Sequence, residues 1–153
     1  MYAGQGGNGI FRSTNNGINW VQTPLNNRFI RTIAVNGATV IAGTSSANNE
    51  IYASTNNGSN WSIVSSITGE VHSLAISGSY IYAGGNPVGV FISTNNGANW
   101  QQSTLNSGIV RSIATNGSNI YAGTNSGLFI SSNYGTNWIE SSLSTQYIYS
   151  AVV

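Results

Sequence analysis

One eight-residue phrase returns four times in this chain: STNNGINW from Ser13, STNNGSNW from Ser54, STNNGANW from Ser93 and SSNYGTNW from Ser131. Its tryptophans, Trp20, Trp61, Trp100 and Trp138, are spaced 41, 39 and 38 residues apart. A near-constant period of about 40 residues marks a repeat architecture, in which one small structural unit is copied and stacked on its neighbours. The small differences in spacing are loop insertions around a unit of fixed core length.

The unit itself is readable. From Val71 to Gln102 the segments VHSLAI, YIYAG, VFIS and NWQQ are rich in β-branched and aromatic residues, and SGS, GNPVG and TNNGA separate them. This punctuation predicts consecutive antiparallel strands joined by tight turns. The second unit repeats it as IRTIAV, VIAGT, IYAS and NWSIV, and the fourth as VRSIAT, IYAGT, LFIS and NWIES. No stretch carries a 3.6-residue apolar period, so helices are not expected. The expected fold is all-β: a β-propeller of four-stranded antiparallel blades, residues 1–153 forming one array of four repeats. A parallel β-helix would have shorter coils, and a sandwich would not repeat its turns so literally.

The pattern Ser-x-Asn-x-Gly-x-x-Trp resembles the Asp-box, or bacterial neuraminidase repeat, of sialidases, sortilin-type receptors and photosystem II assembly factors. The resemblance covers all four repeats. It implies a hairpin between the third and fourth strands of each blade, on the face opposite a typical active site. It assigns structural roles to Ser13, Asn15, Gly17 and Trp20, to Ser54, Asn56, Gly58 and Trp61, to Ser93, Asn95, Gly97 and Trp100, and to Ser131, Asn133, Gly135 and Trp138. The chain departs from that pattern in one consistent way, carrying Asn where the box has Asp. An Asn oxygen still accepts backbone N–H bonds and the glycines supply a permissive backbone, so the hairpin is expected to survive. The tryptophans are expected to pack between blades. With no Asp to offer a hard cation, no metal and no cofactor are expected.

The four copies set a phase for the ends. Met1 to Gly4 aligns with Ile120 to Gly123, the second strand of a blade, and Tyr147 to Val153 aligns with Ile109 to Thr115, the first strand. One blade is therefore expected to be split between the termini, its first strand supplied by the C-terminal end, which removes an exposed sheet edge. Four blades make a narrow ring. The preferred assembly is a homodimer in which two chains exchange terminal strands to give eight blades. A closed four-bladed monomer, a larger ring or filament, and a piece of a longer propeller are the alternatives.

Composition excludes several partners. The chain has four arginines, three glutamates, one histidine, no lysine, no aspartate and no cysteine, for a net charge of +1. Nucleic acid is not expected, because phosphate binding needs clustered cations. Membrane insertion is not expected either, since no apolar run approaches about 20 residues. No disulfide or thiolate chemistry is available. The chain opens on MYAG, which copies the repeat, and shows no signal peptide; its Asn/Ser/Thr/Gly surface suggests a parent protein outside the cell or on its surface.

The candidate binding column lies in the innermost strand. Aligning IRTIAV, VHSLAI, VRSIAT and IYSAVV superimposes Arg31, His72, Arg111 and Tyr149, followed by Thr32, Ser73, Ser112 and Ser150. An innermost strand lines a propeller's channel, so these side chains can form a polar ring at one mouth, with the arginines as bidentate donors to an anion, a carboxylated sugar or an acidic peptide. The competing reading is that they merely hydrate a tunnel. The divergent loops Thr44 to Glu50 and Gly84 to Gly89 are further places for recognition, and Asn57, Asn60 and Asn116 begin glycosylation sequons. Catalysis is not expected. The resemblance to sialidases implies an Asp acid, a Tyr/Glu pair and three arginines around a carboxylate, and this chain has no Asp; His72 has no Asp or Cys to work with. The chain therefore reads as a non-catalytic module whose main activity is self-assembly, a scaffold either engineered or cut from a larger propeller; a secreted glycan- or protein-binding propeller is the alternative.

Overall fold

In the computed structural model, which describes residues 1–45, 50–66 and 69–153, each unit folds as the meander its turns predict. The first blade has three strands, β1 (Tyr2–Gln5), β2 (Gly9–Arg12) and β3 (Val21–Gln22). The second has β4 (Ile30–Asn36), β5 (Thr39–Thr44), β6 (Glu50–Ser54) and β7 (Ser62–Ser66). The third has β8 (Glu70–Ser77), β9 (Tyr80–Asn86), β10 (Gly89–Ser93) and β11 (Gln101–Gln102), and the fourth β12 (Val110–Asn116), β13 (Asn119–Thr124), β14 (Gly127–Ser131) and β15 (Ile139–Glu140). Every ladder is antiparallel and pairs strands adjacent in sequence. The architecture is that of β-propeller blades in a row.

Three of the four outermost strands, β3, β11 and β15, are only two residues long, because the hairpin consumes the Asn-Trp pair. In the third blade the buried Ser93 hydroxyl donates to Asn95 Oδ1 at 3.0 Å and accepts the Gly97 N–H at 2.8 Å. Asn95 Oδ1 also accepts the Asn99 N–H at 2.9 Å, and Trp100 Nε1 donates to the Gly97 carbonyl at 3.0 Å. The serine and asparagine bonds recur in all four blades. The residue before each glycine also has positive φ, 56° at Asn16, Asn57 and Asn96. Two consecutive left-handed residues are what Asn-Gly accommodates most cheaply.

The core lies between blades rather than within them. Three apolar clusters occupy the three joints: Ile10, Leu25, Ala42 and Tyr52 at the first, Ile41, Ile51, Val71 and Ile81 at the second, Tyr82, Val90, Val110 and Ile120 at the third. Each joint is closed by a branched side chain seated on a strand glycine: Ile30 on Gly4, Val71 on Gly43, Val110 on Gly84. Trp61, Trp100 and Trp138 pack against these clusters, as expected. Trp20 does not. It remains 39% exposed, because none of the described blades packs on that side of the first one.

The final segment keeps the expected place without forming a strand. Ile148 sits on Gly123 as Val110 sits on Gly84, and its N–H donates to the Thr124 carbonyl at 2.9 Å. Residues 147–153 have no ladder, however, and β1 pairs only with β2. The joints follow in chain order, so within one chain the two parts of the split blade stand at opposite ends of the row. Residues 46–49 of the Thr44 to Glu50 loop lie outside the described residues.

Candidate functional site

The innermost strands carry a bulge at one repeated position. Register shifts occur between Ile30 and Thr32, between Val71 and Ser73, and between Val110 and Ser112. The skipped residues are Arg31, His72 and Arg111, three of the four members of the column that alignment assembles. A bulge re-aims a side chain out of the regular pleat, and here it does so at the same height in each blade. The hydroxyl next in sequence turns the other way and links blades. Thr32 Oγ1 accepts the Leu74 N–H at 3.1 Å, and Ser73 Oγ accepts the Ile113 N–H at 2.9 Å. Ser112 Oγ, the next in the series, is buried and has no partner among the described residues.

The column is brought together as two linked pairs. Glu70 bridges the first: its Oε2 accepts from Arg31 Nη1 at 3.1 Å and from His72 Nε2 at 3.2 Å. A carboxylate only accepts, so Nε2 carries the imidazole proton. In the second pair the Arg111 guanidinium lies 5.1 Å from the centre of the Tyr149 ring, and its Nε donates to Asn125 Oδ1 at 2.6 Å. Tyr149 itself is exposed. Glu70 and Asn125 are partners that alignment of the column passes over. Glu70 shares a strand with His72, two residues away, which is the available signal.

Burial lowers the His72 pKa below its ordinary 6.5, and the neighbouring Arg31 and Arg111 cations push the same way against the Glu70 carboxylate. The folded chain therefore holds this imidazole neutral where an unfolded chain would bind a proton. The sign follows: the unfolded state takes up more protons below pH 6.5, so stability falls as pH drops from that value through the folded-state pKa. The urea midpoint is expected to be lower at pH 5.5 than at pH 7.5, and His72→Gln to flatten that difference. An unchanged slope in the variant would contradict the assignment.

A second cluster joins the first two blades. Arg28 Nε donates to Tyr52 Oη at 2.9 Å, and Tyr52 donates to Glu50 Oε2 at 2.6 Å. Burial, followed by the Glu50 hydrogen bond, raises the Tyr52 pKa, so the phenol keeps its proton. This is a part-buried tie between a strand and a loop, not an activated nucleophile.

A family model described as the DUF6242 beta propeller domain matches residues 22–151. No curated protein matches the sequence. Among solved structures the chain is similar to an ancestral GH74 enzyme, at 26% identity and a TM-score of 0.73, over 90% of this chain and 22% of that one. It is similar to YCF48 bound to D1 peptide at 18% identity and a TM-score of 0.68, over 83% of this chain and 45% of that one. It is also similar to the computationally designed Ika4 protein, at 10% identity and a TM-score of 0.70, over 82% and 79%. The chain thus spans less than half the length of the first two, and what these likenesses carry is the fold.

Proposed function

The chain belongs to the DUF6242 beta propeller domain family, and from that premise we propose that it is a non-catalytic propeller module that completes its ring by docking a second copy of itself. The supporting observation is a pair of uncovered faces that match the faces already joined. Gly58 of the second blade meets Tyr2 and Thr23 of the first, Gly97 meets Ile41 and Val64 of the second, and Gly135 meets Ile92 and Tyr82 of the third. Gly17 meets only its own blade's Trp20 and Met1. At the far end Tyr121 occupies the strand position of the fully buried Tyr82 but is only half-buried, and Tyr147 and Val152 are exposed.

The docking supplies what each end lacks. Residues 147–153 of one copy would pair with β1 of the other and complete a four-stranded blade. The same movement orders the chain around Ser150 and Ala151, and the alignment puts the Ala151 N–H in reach of the orphaned Ser112 hydroxyl, as Ile113 is of Ser73. Two copies of four repeats give an eight-bladed ring. The serine and asparagine bonds that recur in all four hairpins support reading the hairpin as an Asp-box with Asn in place of Asp. The near absence of charge supports an extracellular or cell-surface setting for the parent protein.

Light scattering tests the assembly. A mass of twice the 16.0 kDa chain is expected, and a monodisperse 16.0 kDa species would overturn the proposal. The non-catalytic reading is supported by the engagement of Glu50 with Tyr52 and of Glu70 with Arg31 and His72. Turnover of a fluorogenic sialoside that disappears in Glu70→Gln would refute it.

A second reading, a channel mouth that binds an acidic peptide or glycan, rests on the gathering of Arg31, His72, Arg111 and Tyr149. A propeller of the same fold, YCF48, has a bound peptide. The mouth is the weaker reading here, because Glu70 already answers Arg31, while Asn125 and Tyr149 occupy Arg111.

A further inference from the structure

The joint between the third and fourth blades differs from the others in a way that self-assembly does not explain. Each joint has a groove beside the repeated hairpin. It measures about 310 Å³ between the first and second blades and about 330 Å³ between the second and third, but about 510 Å³ between the third and fourth. The enlarged groove coincides with a break in the hairpin sequence at its second asparagine. Where three copies have Asn16, Asn57 and Asn96, the fourth has Tyr134.

Tyr134 keeps the backbone of the residue it replaces, with φ of +57°. A bulky aromatic in the left-handed region is an outlier, held there only when its surroundings require it. The surroundings here include a second tyrosine, at a position that differs in every blade. Tyr80 opens β9 at the position that Thr39 holds in β5, and the two tyrosine rings stack at 4.6 Å between centres and 20° between planes. Tyr82 continues the row, 6.4 Å from Tyr80. Such strain collects at functional sites, and the pair is formed at one joint by facing blades.

The lining decides the ligand class. Besides the tyrosine pair it presents Asn99, Gln101, Thr104 and Thr136, and it contains no Asp, Glu, Lys, Arg or His. Nothing there can recognise an ion by charge. Side-chain amides and hydroxyls each offer both donor and acceptor, the complement of a surface of hydroxyl groups. Tyrosine adds an apolar ring face with a polar tip, suited to a ligand with apolar C–H faces and polar edges. The volume lies within the range of small-molecule sites. We propose that this groove is a binding site for a neutral oligosaccharide, with Tyr134 as its platform and Gln101 on β11 as a hydrogen-bonding partner. The site belongs to a joint already formed in the single chain and does not depend on ring closure.

The test is calorimetric titration of the full chain with cellohexaose, xylohexaose and N-acetylchitohexaose in turn. At least one is expected to bind saturably with a Kd of about 1 mM or tighter. Tyr134→Asn restores the residue of the other three hairpins, one better suited to positive φ, so its unfolding temperature is expected to hold or rise while affinity falls about tenfold or more. If Tyr134→Asn instead unfolds at lower temperature, Gln101→Ala, on an exposed strand position, decides: a loss of about threefold or more supports the site and unchanged affinity overturns it. Absence of saturable binding by all three sugars overturns the proposal. So does binding that Tyr134→Asn leaves intact, and binding that Arg31→Ala abolishes while Tyr134→Asn does not would move the sugar to the channel mouth.

Discussion

Gly84→Val is expected to destabilise the fold by about 3 kcal/mol or more, lowering the unfolding temperature by about 6–12 °C. A Cβ at Gly84 would stand 2.5 Å from Val110 Cγ1 and 3.0 Å from Ile113 Cδ1. Val110 is fully buried at the centre of the joint cluster, so it has no room to retreat. The strand backbone of Gly84 is ordinary, and the cost is one of space alone. Gly37→Ala is the informative comparison: it meets nothing within 4 Å but must adopt φ of +58°, and the cost is conformational, about 1 kcal/mol. Thermal unfolding of both variants separates the two origins. An unfolding temperature for Gly84→Val within a degree or two of the parent would mean that the blades do not pack as described.

Ser93→Ala is expected to cost about 1–3 kcal/mol, because it strips a buried N–H of its acceptor rather than deleting a matched pair. Gly97 is buried against the second blade, and its N–H donates only to Ser93 Oγ among the bonds of the hairpin. Asn95 loses its hydroxyl donor in the same stroke, which loosens the acceptor that holds Asn99. The equivalent Ser13→Ala should cost less, since Gly17 is half-buried on the uncovered face of the first blade and water can replace the serine. Chemical denaturation of the two variants measures the difference, and equal losses would argue that the hairpin bond, not its burial by the neighbouring blade, sets the cost.

The repeat made the scaffold readable because its information is local. Strand segments, turn residues and the Ser-Asn-Gly-Trp hairpin all lie within eight to twelve positions of one another, and the bulged column follows from aligning the copies. What depends on contact between blades was less accessible. Trp20 and Trp100 are equivalent in sequence and differ in exposure only because one has a neighbour. Glu70 reaches Arg31 across a joint, a pairing 39 residues apart that no local pattern announces. Of the Tyr80 and Tyr134 stack, only Tyr134 is visible as a departure from the repeat, and the meeting of the two follows from which faces the blades present to each other. The short outer strands were hidden for the opposite reason: the hairpin's own hydrogen bonds claim residues that β propensity assigns to a strand.

The glycine seats that close the joints have a polarity. A branched residue of one blade enters the strand glycine of the blade before it, from Ile30 on Gly4 to Ile148 on Gly123, while the hairpin glycines face the other way, Gly97 meeting Ile41 and Gly135 meeting Ile92 of the preceding blade. Such an interface is heterologous: its two sides are different surfaces. Chemistry at the joint therefore cannot count subunits. Whether copies of this chain close on themselves or run on into a fibre is decided by the rotation each joint adds, summed around the axis, so a small change in blade-to-blade angle, with every contact preserved, would separate a soluble ring from an open polymer.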